Sequence, residues 1–366
     1  MKKNHIEIFT PPAFKPVKFE MSYINSLTIN NTLYASKGRY ALMHILNSLS
    51  EIDSILLPAY LCESVLNTVV QLGIKHYFYD LDPEDLNASL DSIKFIIDNT
   101  EAKAVFVASM YGNPANLIEI EQFCKSKNIF LIDDAAQSFG AELNGKPVGF
   151  FGDAGFFSFS PGKPTAGHMG SFFWTQNKSY KIAYKHHKIV HKVAYWDFYF
   201  NRLNIYKYKR YHVFVILKSL NILLCKIYNL SNDTYEEFET KILGGILKSM
   251  KDGNFNFRQR FFDEFAEYFK ANSLFNVVRA KRGKPNNHKI IIRCINTLVA
   301  SDMVYYCKKN NVYASKGYNL LTNNYEFLPN SREIDGCIVE FPIENNENRM
   351  NYLIKTVKEF IYSYSK

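Results

Sequence analysis

The chain has 366 residues, of which 47% are hydrophobic and 22% charged. A length near two average domains and this ordinary globular composition exclude extensive disorder and leave room for a core without disulfides or structural metal. The net charge of +9 is uneven: between 178 and 230 eleven Lys/Arg stand against Asp197 alone.

The first residues, MKKNHIEIFTPP, carry two lysines but no apolar run, so no secretory signal is expected. The most apolar stretch, 212–230, is broken by Lys218, Asn221 and Lys226, which argues against a spanning helix and for a cytoplasmic protein. The six cysteines form no CxxC pair, so neither a metal site nor a disulfide framework is expected.

From 36 to 177 the pattern alternates between helical and strand-like units. Helices are predicted over 39–49, 62–72, 90–97 and 117–125, and strands over 54–57, 76–80, 104–108 and 129–132. This rhythm predicts a large α/β domain with a mostly parallel central sheet and helices on both faces. Residues 1–35 read as an N-terminal arm. Residues 178–252 read as a basic, aromatic, helical insertion or linker. Its interleaved cations and rings suit packing on the body or on a twin subunit, lying on an anionic membrane face, or contact with nucleic acid. No recognition motif accompanies the charge, which sets nucleic acid aside. Past 253 come helices over 257–270, 298–310 and 347–364, a polar loop over 282–288, and apolar strands over 289–294 and 337–342. Together they form a smaller C-terminal α+β domain, 253–366.

Three stretches fall where ligands bind in such sheets, at the carboxyl ends of the strands. Ser36-Lys37-Gly38-Arg39 precedes a helix, whose N-terminal amides can hold a phosphate. Asp133 and Asp134 close a buried strand; Asp134 is either a functional carboxylate or a helix N-cap. In Phe157-Ser158-Phe159-Ser160-Pro161-Gly162-Lys163-Pro164 a lysine sits in an apolar loop; it is either an exposed loop lysine or one whose desolvation lowers its pKa and makes it a nucleophile. Together they supply what pyridoxal phosphate needs: an amine, an acid for the ring nitrogen, and hydroxyls and amides for the phosphate.

Asp134-Ala-Ala-Gln137-Ser-Phe-Gly140, Gly145-Lys-Pro-Val-Gly149-Phe-Phe-Gly152-Asp153-Ala-Gly155 and Phe157-Ser158-Phe159-Ser-Pro161-Gly162-Lys163 closely resemble the DegT/DnrJ/EryC1/StrS family of pyridoxal-phosphate-dependent nucleotide-sugar aminotransferases, of fold type I. Leu57-Pro58-Ala59-Tyr60, Tyr111-Gly112-Asn113-Pro114-Ala115 and Phe341-Pro342-Ile343 add to the resemblance. It implies that Lys163 carries the cofactor as an internal aldimine and moves the proton. It also implies that Asp134 partners the pyridine nitrogen, that Gln137 lies by the ring's phenolic oxygen, and that Ser158 with the amides of Gly38 and Arg39 forms the phosphate cup. The expected reaction is transfer of an amino group from glutamate to a keto group of a nucleotide-linked deoxysugar, for O-antigen, capsule or another surface polysaccharide. A homodimer with interfacial sites is implied as well.

Three positions depart from the family pattern. Cys62 stands where many members place an aromatic that stacks on the cofactor ring, so that stacking falls to Tyr60 or to nothing. Gly167-His168-Met169-Gly170 lacks the usual acid, and Arg39 replaces a Thr or Ser. Two other readings remain: a sugar dehydratase, a branch that uses histidine in place of the lysine, with His168 nearby, and a catalytically silent scaffold held at the membrane by 178–230.

Overall fold

A computed structural model describes residues 33–35, 37–49, 51–160, 162–164, 170–179, 254–344 and 346–364. The basic aromatic segment from 180 onward, the N-terminal arm up to 32, and His168 lie outside them.

The first sheet has seven strands: β1 (Leu33–Ala35), β2 (Ser54–Pro58), β3 (Lys75–Tyr79), β4 (Ala104–Ala108), β5 (Phe130–Asp134), β8 (Ala154–Phe156) and β9 (Ser171–Thr175), in the order β1-β9-β8-β5-β4-β2-β3. Between β5 and β8 lies a two-residue hairpin, β6 (Glu142–Leu143) and β7 (Lys146–Pro147). Strands β3, β2, β4, β5 and β8 run parallel, and β9 alone is antiparallel to both its neighbours. Four helices connect the parallel strands: α1 (Gly38–Ser48), α2 (Glu63–Gln71), α3 (Leu90–Asp98) and α4 (Leu117–Lys127).

The strands are apolar on both sides because both faces are covered. Along β2 and β4, Leu56, Val105 and Val107 face a core shared with Ile93 and Ile97 of α3 and Leu117 and Ile120 of α4. Their neighbours Ile55, Leu57, Ala104 and Phe106 face the other core, with Leu42, Ile45 and Leu46 of α1 and Val65 and Val69 of α2. The period-two alternation of strands thus sorts the helices into two layers. Local signals set helix ends: Ser89 caps α3 by accepting from the Ser92 N–H (3.3 Å), and Asn128 ends α4 in the left-handed region.

The C-terminal part contains α5 (Asn254–Tyr268), β10 (Phe275–Val277), β11 (Lys289–Cys294), α6 (Thr297–Lys309), β12 (Ser315–Lys316), α7 (Pro329–Ile334), β13 (Ile338–Pro342) and α8 (Glu347–Tyr364). Its four strands form an antiparallel sheet in the order β10-β11-β13-β12. Ile290 and Ile292 of β11 pack with Phe265, Met303 and Val357 of the helices. Ile291 and Ile338 turn the other way and join the α1 and α2 core of the first sheet. Ion pairs fasten the loop before β11 to the first unit: Lys281 meets Asp82 and Glu84 (2.8 Å each), and Arg282 meets the fully buried Asp85 (3.2 Å).

The first sheet is mostly parallel with helices on both faces and a smaller α+β unit follows it, as the sequence predicts. One difference from the sequence reading matters for the site. The strand predicted over 129–132 extends to Asp134, because β4 keeps pairing with it (Val107↔Asp133, Ala108↔Asp134). No helix follows: residues 136–140 form turns, so Asp134 is not a helix N-cap.

Candidate active site

Asp133 and Asp134 both lie at the end of β5 and are buried. Asp133 Oδ2 accepts from the N–H groups of Gly149 (2.6 Å) and Phe151 (3.1 Å). Burial nevertheless pushes its carboxyl up to about 7. Asp134 Oδ1 accepts the Ala136 N–H (2.7 Å), and Oδ2 has no partner among the described residues. Burial raises Asp134 to about 6, against the pull of the Ala136 N–H and the positive charge of Lys163.

The glycine-rich run 145–155 shapes this strand end. Gly149 adopts φ +101°, and a Cβ there would lie 2.2 Å from the Phe157 ring and 2.8 Å from Ala135. Only glycine lets the loop approach closely enough to present two N–H groups to Asp133. Trp174 Nε1 donates to the Gly149 carbonyl (2.6 Å) and closes the turn.

Lys163 is half-buried, and its N–H donates to the Ser160 carbonyl (3.2 Å). Burial draws its amine below the usual lysine range. Lys289 acts in the same direction, while Asp134, Cys62 and Glu340 oppose it. An amine shifted this way carries a larger uncharged, nucleophilic fraction at neutral pH.

The third part is the start of α1. Its N-cap, Lys37, does not cap the helix with its side chain, and the first turn has no acid. Gly38 packs directly on Ser158, where a Cβ would lie 3.2 Å from the serine Cβ. Ser158 and Ser160 bring their hydroxyls within 3.4 Å of each other. Cations at the positive end of a helix are unfavourable unless an anion sits there, and Lys37 and Arg39 occupy that end. The Arg39 guanidinium is exposed and lies over the Tyr40 ring (5.4 Å).

Gln137 is buried on the turn after Asp134, and its Oε1 is unpartnered among the described residues. Tyr60 is 2% exposed. Its hydroxyl pairs with that of Tyr111 (2.7 Å) and accepts the Tyr318 N–H (3.0 Å). The Tyr318 ring meets Tyr60 edge-on and lies stacked with Tyr111. Burial raises the pKa of all three tyrosines, so they stay protonated. The cluster fixes Tyr60 as a pillar between the two units. Cys62 sits beside Ser64 (3.2 Å) at the start of α2.

Several polar groups here escaped the sequence reading. Lys289 and Glu340 pair at 2.6 Å from adjacent strands. His288 is buried; its Nδ1 meets Asn286 Oδ1 (3.1 Å), and its Nε2 is unpartnered among the described residues. Arg258 of α5 reaches the Pro164 carbonyl. These residues lie more than ninety positions from Lys163 in sequence, and no motif marks them; only Tyr111 stood within a motif noted above.

The residues present fit pyridoxal phosphate. Burial lowers the lysine's pKa, a buried carboxylate oxygen and a buried amide oxygen have no partner among the described residues, and a helix start without a side-chain cap adjoins two hydroxyls.

The sequence profile of the DegT/DnrJ/EryC1/StrS aminotransferase family matches residues 15–213, more than half of the chain. The chain belongs to this family. Its relatives include a GDP-perosamine synthase from Vibrio cholerae, 31% identical over 156 residues (42% of each protein), and one from Escherichia coli, 32% identical over 164 residues (44% of this chain and 45% of the relative). The aligned stretch thus spans under half the length of these curated relatives. A DegT DnrJ EryC1 StrS aminotransferase from Brucella abortus has the same fold, with a TM-score of 0.68 at 16% identity over 93% of this chain and 88% of that one.

Proposed function

We propose that this DegT/DnrJ/EryC1/StrS member is a pyridoxal-phosphate-dependent aminotransferase that moves an amino group from glutamate to a keto group of a nucleotide-linked deoxysugar. The product would be an amino sugar for O-antigen, capsule or another surface polysaccharide. The observation that carries the reading is that a desolvated Lys163 amine and the buried Asp134 carboxylate at the end of β5 lie close enough to feel each other's charge. Family membership and the GDP-perosamine synthase relatives support the substrate class. The family pattern supports glutamate as donor and a homodimer as the working unit.

Bound pyridoxal phosphate would supply an aldehyde that takes the nitrogen and a ring that accepts the electron pair released at the substrate carbon. Lys163 would hold the cofactor and, once displaced, take a proton from the donor carbon and return it on the other side of the reaction. A partly desolvated amine suits both directions, because its pKa lies closer to the working pH. Asp134, with Oδ2 available, would keep the ring nitrogen protonated; the cation would in turn hold the carboxylate ionised, reversing the effect of burial. Gln137 would meet the ring's phenolic oxygen. The amides of Gly38 and Arg39, with Ser158 and Ser160, would take the phosphate. The tyrosine cluster would exclude water from one side.

The test is Lys163→Ala, assayed with labelled glutamate and a panel of nucleotide-linked keto sugars by mass spectrometry. The wild type transfers label to the sugar and shows the visible band of the lysine-bound cofactor, and the variant does neither. Glutamate-dependent labelling that survives in the variant refutes the reading, and release of ammonia with a deoxysugar product points to dehydration.

A further inference from the structure

Lys163 stands between Pro161 and Pro164. A residue before proline is confined to extended backbone, and the Lys163 N–H is already engaged by the Ser160 carbonyl. The loop is therefore fixed on its N-terminal side by local means. On the other side the restraint comes from far away in sequence. Arg258, in the first turns of α5, donates from Nη2 to the Pro164 carbonyl at 2.6 Å, across 94 residues of chain. Burial draws this guanidinium down to about 10, so it is held where an exposed arginine would be better hydrated.

The same helix is tied at its next residue. Asn287 Nδ2 donates to Gln259 Oε1 at 2.6 Å. The preceding Asn286 donates from Nδ2 to the carbonyls of Gln137 (2.8 Å) and Phe139 (3.1 Å). The start of α5 thus joins the lysine loop to the turn that follows Asp134, the two segments whose spacing matters most to a cofactor bridging them.

We propose that Arg258 is a positioning residue for Lys163: by holding the Pro164 carbonyl it aims the lysine amine at the cofactor and couples the C-terminal unit to that amine. The proposal rests on the reading of Lys163 as the cofactor-bearing residue. Lysine is a poor substitute, since its single ammonium lacks the planar, directed donors of a guanidinium. The groups that bear on the Lys163 amine are Asp134, Lys289, Cys62 and Glu340. Arg258→Lys keeps all of these and the positive charge, so a change in that variant reports a displaced amine.

The test reconstitutes wild type, Arg258→Ala and Arg258→Lys with pyridoxal phosphate. It records the pH midpoint of the lysine-bound chromophore together with kcat and KM. We expect a moved midpoint in both variants and a kcat lower by about 10- to 100-fold in Arg258→Ala, the scale of an ångström-sized misplacement. KM for the nucleotide sugar should change far less, and added guanidinium ion should restore part of the Arg258→Ala rate. Where Arg258→Ala does not fold, Arg258→Lys alone decides. Variants that titrate and turn over as the wild type overturn the proposal, as does a loss of rate with an unmoved midpoint and no rescue. A wild-type protein that binds pyridoxal phosphate without a lysine-bound chromophore overturns both this proposal and the reading beneath it.

Discussion

Asp133 and Asp134 are consecutive on β5 yet serve opposite faces of the central sheet. Asp133 takes the Gly149 and Phe151 N–H groups, while Asp134 lies on the face that carries α1. A one-residue slip of β5 against β4 would exchange them. The acid proposed to meet the cofactor and the acid that binds the glycine loop are thus distinguished only by register.

The first consequence concerns Asp134. Asp134→Asn keeps the shape and the bond from Ala136 but removes the negative charge. Pyridoxal phosphate should still attach to Lys163, while kcat falls by about 100-fold, the scale of losing one preorganised electrostatic group. Single-turnover kinetics beside the visible spectrum would separate binding from turnover.

Asp133 makes a prediction about pH. Its folded-state value of about 7 lies above that of an unfolded aspartate, about 4. Between those limits the folded protein binds the extra proton, so stability falls as pH rises through the window. Asp133→Asn should remove about 2–4 kcal/mol of the stability change across this window. Chemical denaturation of cofactor-free protein from pH 4.5 to 7.5 (about the span of the window) would measure it, and a parallel slope in the variant would contradict the assignment.

Gly149 should tolerate no side chain. Gly149→Ala would combine a strained φ of +101° with a clash against Phe157, and a cost of about 3 kcal/mol or more is expected. The midpoint of thermal unfolding should drop accordingly, whereas Gly145→Ala, with open space around its Cβ position, should suffer only its backbone strain.

Ser158 and Ser160 predict a graded effect on cofactor affinity. A hydrogen bond to a charged group contributes about 1.5–3 kcal/mol, so Ser158→Ala should weaken pyridoxal phosphate binding by at least tenfold, to order of magnitude. Ser160→Ala should have the smaller effect, because its half-exposed hydroxyl can be replaced by water. Fluorescence titration of the two variants gives the ranking.

The parallel sheet was legible because both of its faces are buried, which leaves short apolar runs such as Ala104–Ala108 that stand out from the amphipathic helices. As candidates, Lys163, Asp134 and Ser158 stood out in the sequence because each lies in a compact local run. Strands β8 and β9 were not assigned: β8 is only Ala154–Phe156, with a glycine at its centre, and its pairing comes from distant partners. Arg258, His288, Lys289 and Glu340 reach the site through the second sheet and α5, and nothing in their own neighbourhoods announces that journey. The departure at Cys62 was visible, but the interlock of Tyr60 and Tyr111 with Tyr318 was not, because the Tyr318 contacts depend on the docking of the C-terminal unit.

Ile291 and Ile338, which the C-terminal sheet contributes to the α1 and α2 core, bear on how this chain melts. Excising everything beyond α5 would strip an oily wall from the remaining half and bare Tyr60 to water. The two halves should therefore come apart in one calorimetric event, and neither should survive as an autonomous fragment.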